Sequence, residues 1–432
     1  MMRTHYAADV KPSMDGKTVT VAGWTHETRD LGGLEFVILR DRSGLVQITV
    51  KKKEADAKLV EIAKKLVKET AIVCTGVVKS SKMAPGGVEI IPSEMSVVGE
   101  VFKTVPFEVT GKVPADLDVR LDNRFIDLRR IETNALFRIR SETMRAFRAS
   151  CEAQGCQEIT TPVLVSSSTE GGADVFRVDY FGKEAFLAQS PQLYKQLAVI
   201  GGMDRVFMVS PVFRAEKHNT TQHLNEVTQM DVELGFADEE DALAALEKTF
   251  IDILADVSKT RAAELKTLGA SITVPKSLKR FTYAQAVDAL NDAGFPMEWG
   301  SDFSKEAEAR IPDALGAEAF FITRWPTKAR AFYSMPSEAD PEICLAYDLV
   351  YRGVEVASGA QRIHEPELLV KQLKYHGLRP SNFERYVDAF RYGAPPHAGW
   401  SIGCERLLMQ LCNLKNIREA ALFPRDRVRL TP

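Results

Sequence analysis

Several common signatures are missing from this 432-residue chain. Its six cysteines (Cys74, Cys151, Cys156, Cys344, Cys404, Cys412) form no CxxC pair and no metal-like spacing. That excludes zinc-ribbon, thioredoxin-like and disulfide-framework readings. No run approaches the roughly 20 apolar residues that a membrane helix requires. There is no GxxxxGK[ST] and no strand-led GxGxxG, so neither a P-loop nor a dinucleotide-binding turn is present. An excess of one charge is also lacking: 56 Lys and Arg face 59 Asp and Glu, for a formal charge of -3. The chain is therefore not polycationic, although a local basic groove would suffice for nucleic acid. With no secretory signal, the thiols are expected to be free and the location cytoplasmic.

The length allows two or three domains with substantial cores. Residues 17–50 alternate apolar and polar, with turn signals at Leu31-Gly32-Gly33 and Ser43-Gly44. This predicts three short antiparallel strands. A helix is predicted over EADAKLVEIAKKLVKE, and strands over AIVCTGVVKS and GVEIIPSEMSVVG. Three strands, a helix and two strands suit a generic small barrel or an OB-fold, which often binds single-stranded nucleic acid. We place this unit at 1–105 and read the Pro-, Asp- and Arg-bearing segment 106–130 as a hinge.

The remainder, 131–432, opens with the helical stretch NALFRIRSETMRAFRASCEAQGC. QEITTPVLV follows as a strand whose Pro162 suits an edge or an interface. Further strands are predicted over VFRVDYFGKEAFLAQS, the hairpin FRAEKHNTTQHLNEVTQMDVELGF, AFFITRWP, EICLAYDLVYRGVEVASGAQR and HAGWSIG. Helices are predicted over 238–268, roughly 282–310, and CERLLMQLCNL. The fold class is α+β, a mainly antiparallel sheet flanked by helices.

The hairpin carries Arg214, Glu216, His218, His223, Asp231 and Glu233. A period of two would give Arg214 and Glu216 a common face. Gln189, Gln192 and Lys195 lie just before it, Glu355 and Ser358 precede Arg362, and Arg406 sits on the first turn of the last helix. A lone strand arginine is ordinarily solvated or salt-bridged. Arg214, Arg362 and Arg406, each beside glycines or short polar residues, together suit bidentate capture of phosphate and carboxylate.

These segments resemble the three signature motifs of class II aminoacyl-tRNA synthetases. Motif 1 is similar to the long helix and the stretch ending in Pro162, motif 2 to FRAE with its loop and MDVELGF, motif 3 to GWSIGCERL. STEGGADVF, QSPQLYKQ and VASGAQRIH narrow the resemblance to the aspartate enzymes of the archaeal and eukaryotic type, over nearly the whole chain. The resemblance implies ATP-dependent attachment of L-aspartate to tRNA through an aspartyl-adenylate. Attack of a carboxylate on the α-phosphate joins two anions, so cations must offset their repulsion.

On that resemblance Arg214 grips the α-phosphate and the substrate carboxylate, and Glu216, beside Ala215, reads the adenine end. His223, flanked by Gln222 and Leu224, approaches the β- and γ-phosphates. Arg406 takes the γ-phosphate, with Gly403, Cys404 and Glu405 alongside. Glu355 and Ser358 match the Mg²⁺ positions, a donor pair a hard cation accepts. Lys195 and Arg362 read the β-carboxylate, Glu170 and Asp231 the α-amino group, and Gln192 the α-carboxylate, with Leu193, Tyr194 and Ser358 in the same site. Lys195 read alone could equally be an exposed helix lysine.

In the barrel, Arg29, Phe36 and Gln47 match anticodon contacts: a guanidinium, an aromatic platform and an amide. Phe36 could instead be barrel core. Strict relatives resemble one another in a tryptophan and a lysine where this chain has His26 and Pro85, so charging of both tRNA(Asp) and tRNA(Asn) is implied. The plainer readings are a surface strand residue for His26 and a turn former for Pro85. A homodimer and a partner amidotransferase acting on Asp-tRNA(Asn) are also implied. Three departures stand out: Gln222 for an arginine, Val227 for an aromatic under the adenine, and Ser401 for a glycine. Alternatives are a strict aspartate enzyme, an asparagine enzyme, in which Lys195 would face an amide as an unpaired buried charge, and a non-catalytic paralogue.

Overall fold

The computed structural model describes residues 2–166, 175–216 and 220–432. The chain divides into two compact units, one ending at Asn134 and one spanning Ala135–Thr431.

The first unit is a closed five-stranded barrel of Thr18–Asp30, Leu34–Asp41, Gly44–Lys51, Val88–Gly99 and Ala71–Ser80, in that order round the ring. Closure removes free sheet edges, and the alternating inward side chains Val19, Val21, Val37, Leu39, Val46 and Ile48 form the core. Strands Gly44–Lys51 and Val88–Gly99 pair in parallel, the rest antiparallel. Helix Ala57–Lys65, capped by the Asp56 carboxylate on the Lys58 N–H at 2.8 Å, turns Leu59 and Ala63 inward. The first strand is long, 13 residues, and a bulge lets His26 stand unpaired between Thr25 and Glu27. The segment read as a hinge folds locally into helices Leu117–Asp122 and Arg124–Asp127. Within it the Arg124–Asp127 pair, 2.6 Å apart, is wholly buried.

The second unit is built on an eight-stranded sheet. Its order is Lys279–Thr282, Ala319–Pro326, Ile343–Tyr351, Val354–Arg362, His397–Gly403, Glu226–Gly235, Arg205–Phe213, Gln157–Glu158. Only the two outermost pairings among these strands are parallel. Helices Ile131–Ala153 and Glu239–Thr260 supply the apolar layer on one face. Phe147 stacks edge-on against Phe207 and Trp400, with Leu246, Phe250 and Ile253 beside them. Asp238 caps the second of these helices through the Asp241 N–H.

Two expected elements differ. Pro162 is not within a strand: Gln157–Glu158 joins the large sheet, Leu164–Val165 joins a separate three-stranded sheet, and Pro162, with no N–H to donate, falls between them. The helix expected over 282–310 splits into Tyr283–Asp292 and Lys305–Leu315. Among the described residues no helix is long and apolar enough to cross a membrane.

Candidate active site

Period-two alternation gives the large sheet faces of opposite chemistry. On strand Glu226–Gly235, Met230, Val232 and Leu234 enter the core while Gln229 and Asp231 line an open cleft. Strand His397–Gly403 repeats the pattern, with Trp400 and Ile402 in the core and Ser401 in the cleft. Pairing register aligns Asp348, Ser358, Ser401 and Asp231 in one transverse row over four neighbouring strands.

Two adjoining clefts open on this face and share Arg214, Gln229, Glu355, Ser358 and Ser401. Arg214 thus stands at their seam. Strand Arg205–Phe213 ends one residue earlier, so Arg214 and Glu216 do not share a strand face as expected. Instead the Arg214 N–H donates to Asn225 O at 2.9 Å as a last rung. The Asn225 amide then donates to Arg214 O at 2.7 Å and Glu216 O at 3.4 Å, turning the backbone out of the sheet. The Arg214 side chain is exposed and has no carboxylate partner among the described residues.

The first cleft extends from the seam to Glu216, Gln222, His223, Leu224, Gly403 and Arg406, with Val227 in its wall. His223 Nδ1 lies 2.7 Å from Thr220 Oγ1. Arg406 Nη1 donates to Glu355 O at 3.2 Å and lies 3.6 Å from the Glu355 carboxylate. Glu405 also lines the cleft, but its carboxylate is already held by Arg140 Nη2 at 2.8 Å and the Thr228 N–H at 2.9 Å. Burial nonetheless keeps its pKa above the usual range. Cys404 is buried away from the cleft. Ala215 lines neither cleft, opening instead on a neighbouring apolar cavity.

The second cleft runs to Gln192, Lys195, Asp231, Arg330, Tyr333 and Arg362. Lys195 is no exposed helix lysine: its Nζ lies 3.0 Å from Asp231 Oδ1 and 3.4 Å from Glu233 Oε2, and all three side chains are buried. Arg362 Nε donates to Glu233 Oε1 at 2.9 Å, and its guanidinium stacks 5.4 Å from the Tyr333 ring centre. Two buried cations thus meet two buried anions. Burial raises the Asp231 pKa, Lys195 only partly offsetting it. For Glu233 burial acts the same way, but Arg362 and Lys195 outweigh it and hold the carboxyl below the usual range. Lys195 is therefore not left unpaired in the absence of a substrate carboxylate, which removes the argument that an amide would strand it. Gly399 makes room for this cluster, since a Cβ there would collide with Glu233 Oε2. Leu193 packs into a separate apolar cluster, and Tyr194 lines neither cleft. Glu170 and His218 lie outside the described residues.

The site also takes in Glu233, Arg330 and Asp348, to which the sequence motifs assign no role. Arg330 grips Asp348 with both guanidinium arms and donates to Ser358 Oγ at 2.8 Å. Burial pushes the Asp348 carboxyl up to about 6 against the pull of Arg330, with the charge of Glu355 adding to it. Glu308, on helix Lys305–Leu315, is pushed up to about 8 by burial and Glu355. An acid inside AYDLVY was a legible signal for Asp348, as alternation was for Glu233. Arg330 lies outside any strand and gave none.

Glu355 and Ser358 put a carboxylate and a hydroxyl on the wall common to both clefts. No three His, Cys, Asp or Glu side chains among the described residues converge to hold a metal by themselves. This donor set fits an ion such as Mg²⁺, which keeps several waters and shares phosphate oxygens rather than needing a full protein cage.

On the barrel, Arg29 pairs across the strands with Phe36, and Phe36 with Thr49, while Gln47 is two residues along on the same face. Phe36 is half-buried and outside the barrel core. Arg29 is exposed and ion-paired to Glu27 at 3.1 Å. Gln47 Nε2 donates to Thr49 Oγ1 at 3.2 Å and Glu89 Oε2 at 3.1 Å. His26 is not the surface residue of the plainer reading: it is buried, with Nδ1 2.8 Å from Arg40 Nη1, and Arg40 in turn grips Glu69. Pro85 is exposed and opens the turn through Gly86 and Gly87, both at positive φ.

Residues 116–427 match the family model of class II tRNA synthetases (D, K and N), and residues 19–98 match that of the OB-fold nucleic acid binding domain. The architecture is thus that of a class II synthetase carrying a nucleic-acid-binding barrel. The chain belongs to the class II tRNA synthetases of the D, K and N group. It is 48% identical over 431 residues to the aspartate–tRNA(Asp/Asn) ligase of Methanococcus vannielii, covering 100% of this chain and 98% of that one. Among solved structures, asparaginyl-tRNA synthetase of Pyrococcus horikoshii complexed with asparaginyl-adenylate is similar with a TM-score of 0.95 at 32% identity, covering 100% of both chains. The aspartyl tRNA synthetase of Entamoeba histolytica gives 0.89 at 32% identity, covering 99% of this chain and 92% of that one.

Proposed function

We propose that this chain attaches L-aspartate to tRNA through an aspartyl-adenylate and charges both tRNA(Asp) and tRNA(Asn), in keeping with its relatives, which are aspartate–tRNA(Asp/Asn) ligases. The observation that carries the chemistry is Arg214, a cation at the seam of two clefts with no carboxylate partner among the described residues. In the first step an aspartate α-carboxylate oxygen bonds to the α-phosphorus of ATP, and the bond to pyrophosphate breaks. Arg214 would touch both reacting anions and hold them in line, and Arg406 would take the far phosphates. Positioning and charge stabilisation account for the acceleration without a nucleophilic side chain.

Glu216, Gln222, His223 and Leu224 would frame the nucleotide. Gly403 lines the same cleft beside Arg406. Glu355 and Ser358 would hold Mg²⁺, which supplies charge neutralisation for the phosphates when bound. Lys195 and Arg362 would read the β-carboxylate, with Asp231 and Gln192 on the ammonium and α-carboxylate. In the second step a ribose hydroxyl at the tRNA 3′ end attacks the adenylate carbonyl, and AMP leaves. Arg29, Phe36 and Gln47 would meet the anticodon on the barrel, taken as 1–105.

Asparagine activation is a second reading, favoured by the TM-score of 0.95 to the Pyrococcus enzyme. Identity of 48% to an aspartate ligase against 32% to that enzyme favours aspartate. ATP–pyrophosphate exchange with each amino acid decides between them: aspartate should support exchange and asparagine should not. Transcripts with GUC and GUU anticodons should both be charged. A preference for GUC above roughly 100-fold, about 2.7 kcal/mol, would overturn dual charging. Asp-tRNA(Asn) would then pass to an amidotransferase. The protein would act in the cytoplasm as a homodimer through helix Ile131–Ala153; a monomeric mass by light scattering at full activity would refute the dimer.

A further inference from the structure

Behind the second cleft, three buried polar side chains from different elements join in a line. His397, the first residue of strand His397–Gly403, places Nδ1 2.8 Å from Pro395 O and Nε2 2.8 Å from the Gln196 amide nitrogen. The Tyr386 hydroxyl, on helix Glu384–Phe390, donates to Gln196 Oε1 at 2.8 Å. All three are buried, His397 and Gln196 completely.

The direction of every bond is fixed by elementary donor and acceptor rules. A carbonyl oxygen only accepts, so the proton of a neutral His397 sits on Nδ1. Nε2 is then an acceptor and takes an amide hydrogen of Gln196, leaving Oε1 for the tyrosine. An imidazolium would bring an Nε2–H against the Gln196 NH₂, two donors face to face, and accommodating it would require the amide to turn over and the Tyr386 hydroxyl to switch from donor to acceptor.

The line also touches the charges of the pocket. Gln196 follows Lys195 on helix Gln192–Ala198, and His397 pairs in register with Arg362. Around the imidazole lie Glu233 on the adjoining strand, Arg362, His364 just beyond that strand, and the Phe390 ring 6.0 Å away. Burial lowers the His397 pKa, with Glu233 opposing and Arg362 and His364 assisting.

We propose that Tyr386 and Gln196 lock His397 as a neutral Nδ1–H imidazole, and that this line positions Lys195 and Arg362 against Glu233. His397 is a positioning residue rather than a catalytic one. Were it charged, a third cation would compete for Glu233 and loosen its hold on Arg362 and Lys195. The lock therefore makes aspartate binding insensitive to pH where an unconstrained histidine would titrate. The inference deepens the proposed function and rests on that reading for its substrate.

The test begins with the full-length wild-type protein labelled with ¹⁵N-histidine, the His397 signal being identified by its loss in His397→Asn. Between about pH 6 and 8 that signal should be neutral with the proton on Nδ1. A proton on Nε2, or a titration inside that range, overturns the proposal. Exchange kinetics over the same range follow for Tyr386→Phe, which frees the amide to turn, and Gln196→Glu, which welcomes an imidazolium. In both, KM for aspartate should rise at least about fivefold from pH 8 to pH 6, with KM for ATP unmoved and the wild type flat. A purely structural role would change all parameters together without creating a titration, and flat variants overturn the proposal. If the wild type activated no aspartate, the functional reading would fail, while the tautomer measurement would still decide the lock.

Discussion

Glu233 holds Arg362 Nε at 2.9 Å with one oxygen and faces Lys195 Nζ at 3.4 Å with the other, so one carboxylate places two cations of the amino-acid cleft. Glu233→Gln keeps the shape but leaves two buried cations with Asp231 alone. A loss of about 3–5 kcal/mol of stability is expected from breaking such a buried cluster, read from the denaturant midpoint, together with a raised KM for aspartate.

Arg214 is the opposite case. Its guanidinium has no carboxylate partner among the described residues, so Arg214→Ala should shift stability by no more than about 0.5 kcal/mol. Exchange with aspartate should nevertheless fall on the order of 10²–10³-fold, the loss expected when a transition-state charge partner is removed. Melting curves and exchange assays on one preparation separate the two effects, and near wild-type exchange would place Arg214 outside the reaction.

Glu239 gives a pH signature away from the clefts. It lies 2.8 Å from the half-exposed Arg324, yet burial pushes its carboxyl from 4.5 up to about 7. The folded state thus retains a proton that the unfolded chain releases near 4.5. The resulting stability is fully present below that value and is lost as pH rises through about 7. Glu239→Gln should flatten the fall in melting temperature between pH 5 and pH 8, and an unchanged slope would count against the assignment.

His26 and Pro85 present unequal obstacles to substitution. An indole at the bulge would displace the Arg40–Glu69 pair, so His26→Trp is expected to cost about 1–3 kcal/mol of barrel stability. Pro85→Lys, at an exposed turn, should cost little. Combined, they are expected to move the GUC to GUU charging ratio at least about tenfold toward GUC, equivalent to about 1.4 kcal/mol. An unchanged ratio would remove these positions from tRNA choice.

What could be read from the sequence was local. Alternation in MDVELGF and HAGWSIG marked which residues face the core, and the turn residues delimited the barrel strands. The pairing of Lys195 was not legible, because Asp231 and Glu233 reach it from a distant strand rather than from its own helix. The bulge at His26 and the departure of Arg214 from its strand depend on partner registers, which a period-two pattern does not encode. Pro162 carried its own warning: a residue without an N–H made a continuous strand there unfavourable. Arg330, outside any strand, became recognisable only beside Asp348.

The transverse row of Asp348, Ser358, Ser401 and Asp231 joins one hairpin, which carries Asp348 and Ser358, to two strands from distant parts of the chain. Such pairings carry a large loop-closure cost and form late relative to local helices. No partly assembled sheet can therefore hold a partly working site. During refolding from denaturant, the helical signal should recover first and pyrophosphate exchange only with the last registry. Enzyme activity is thereby a stringent clock for completion of the sheet, and a chain stalled short of it is catalytically silent rather than merely slow.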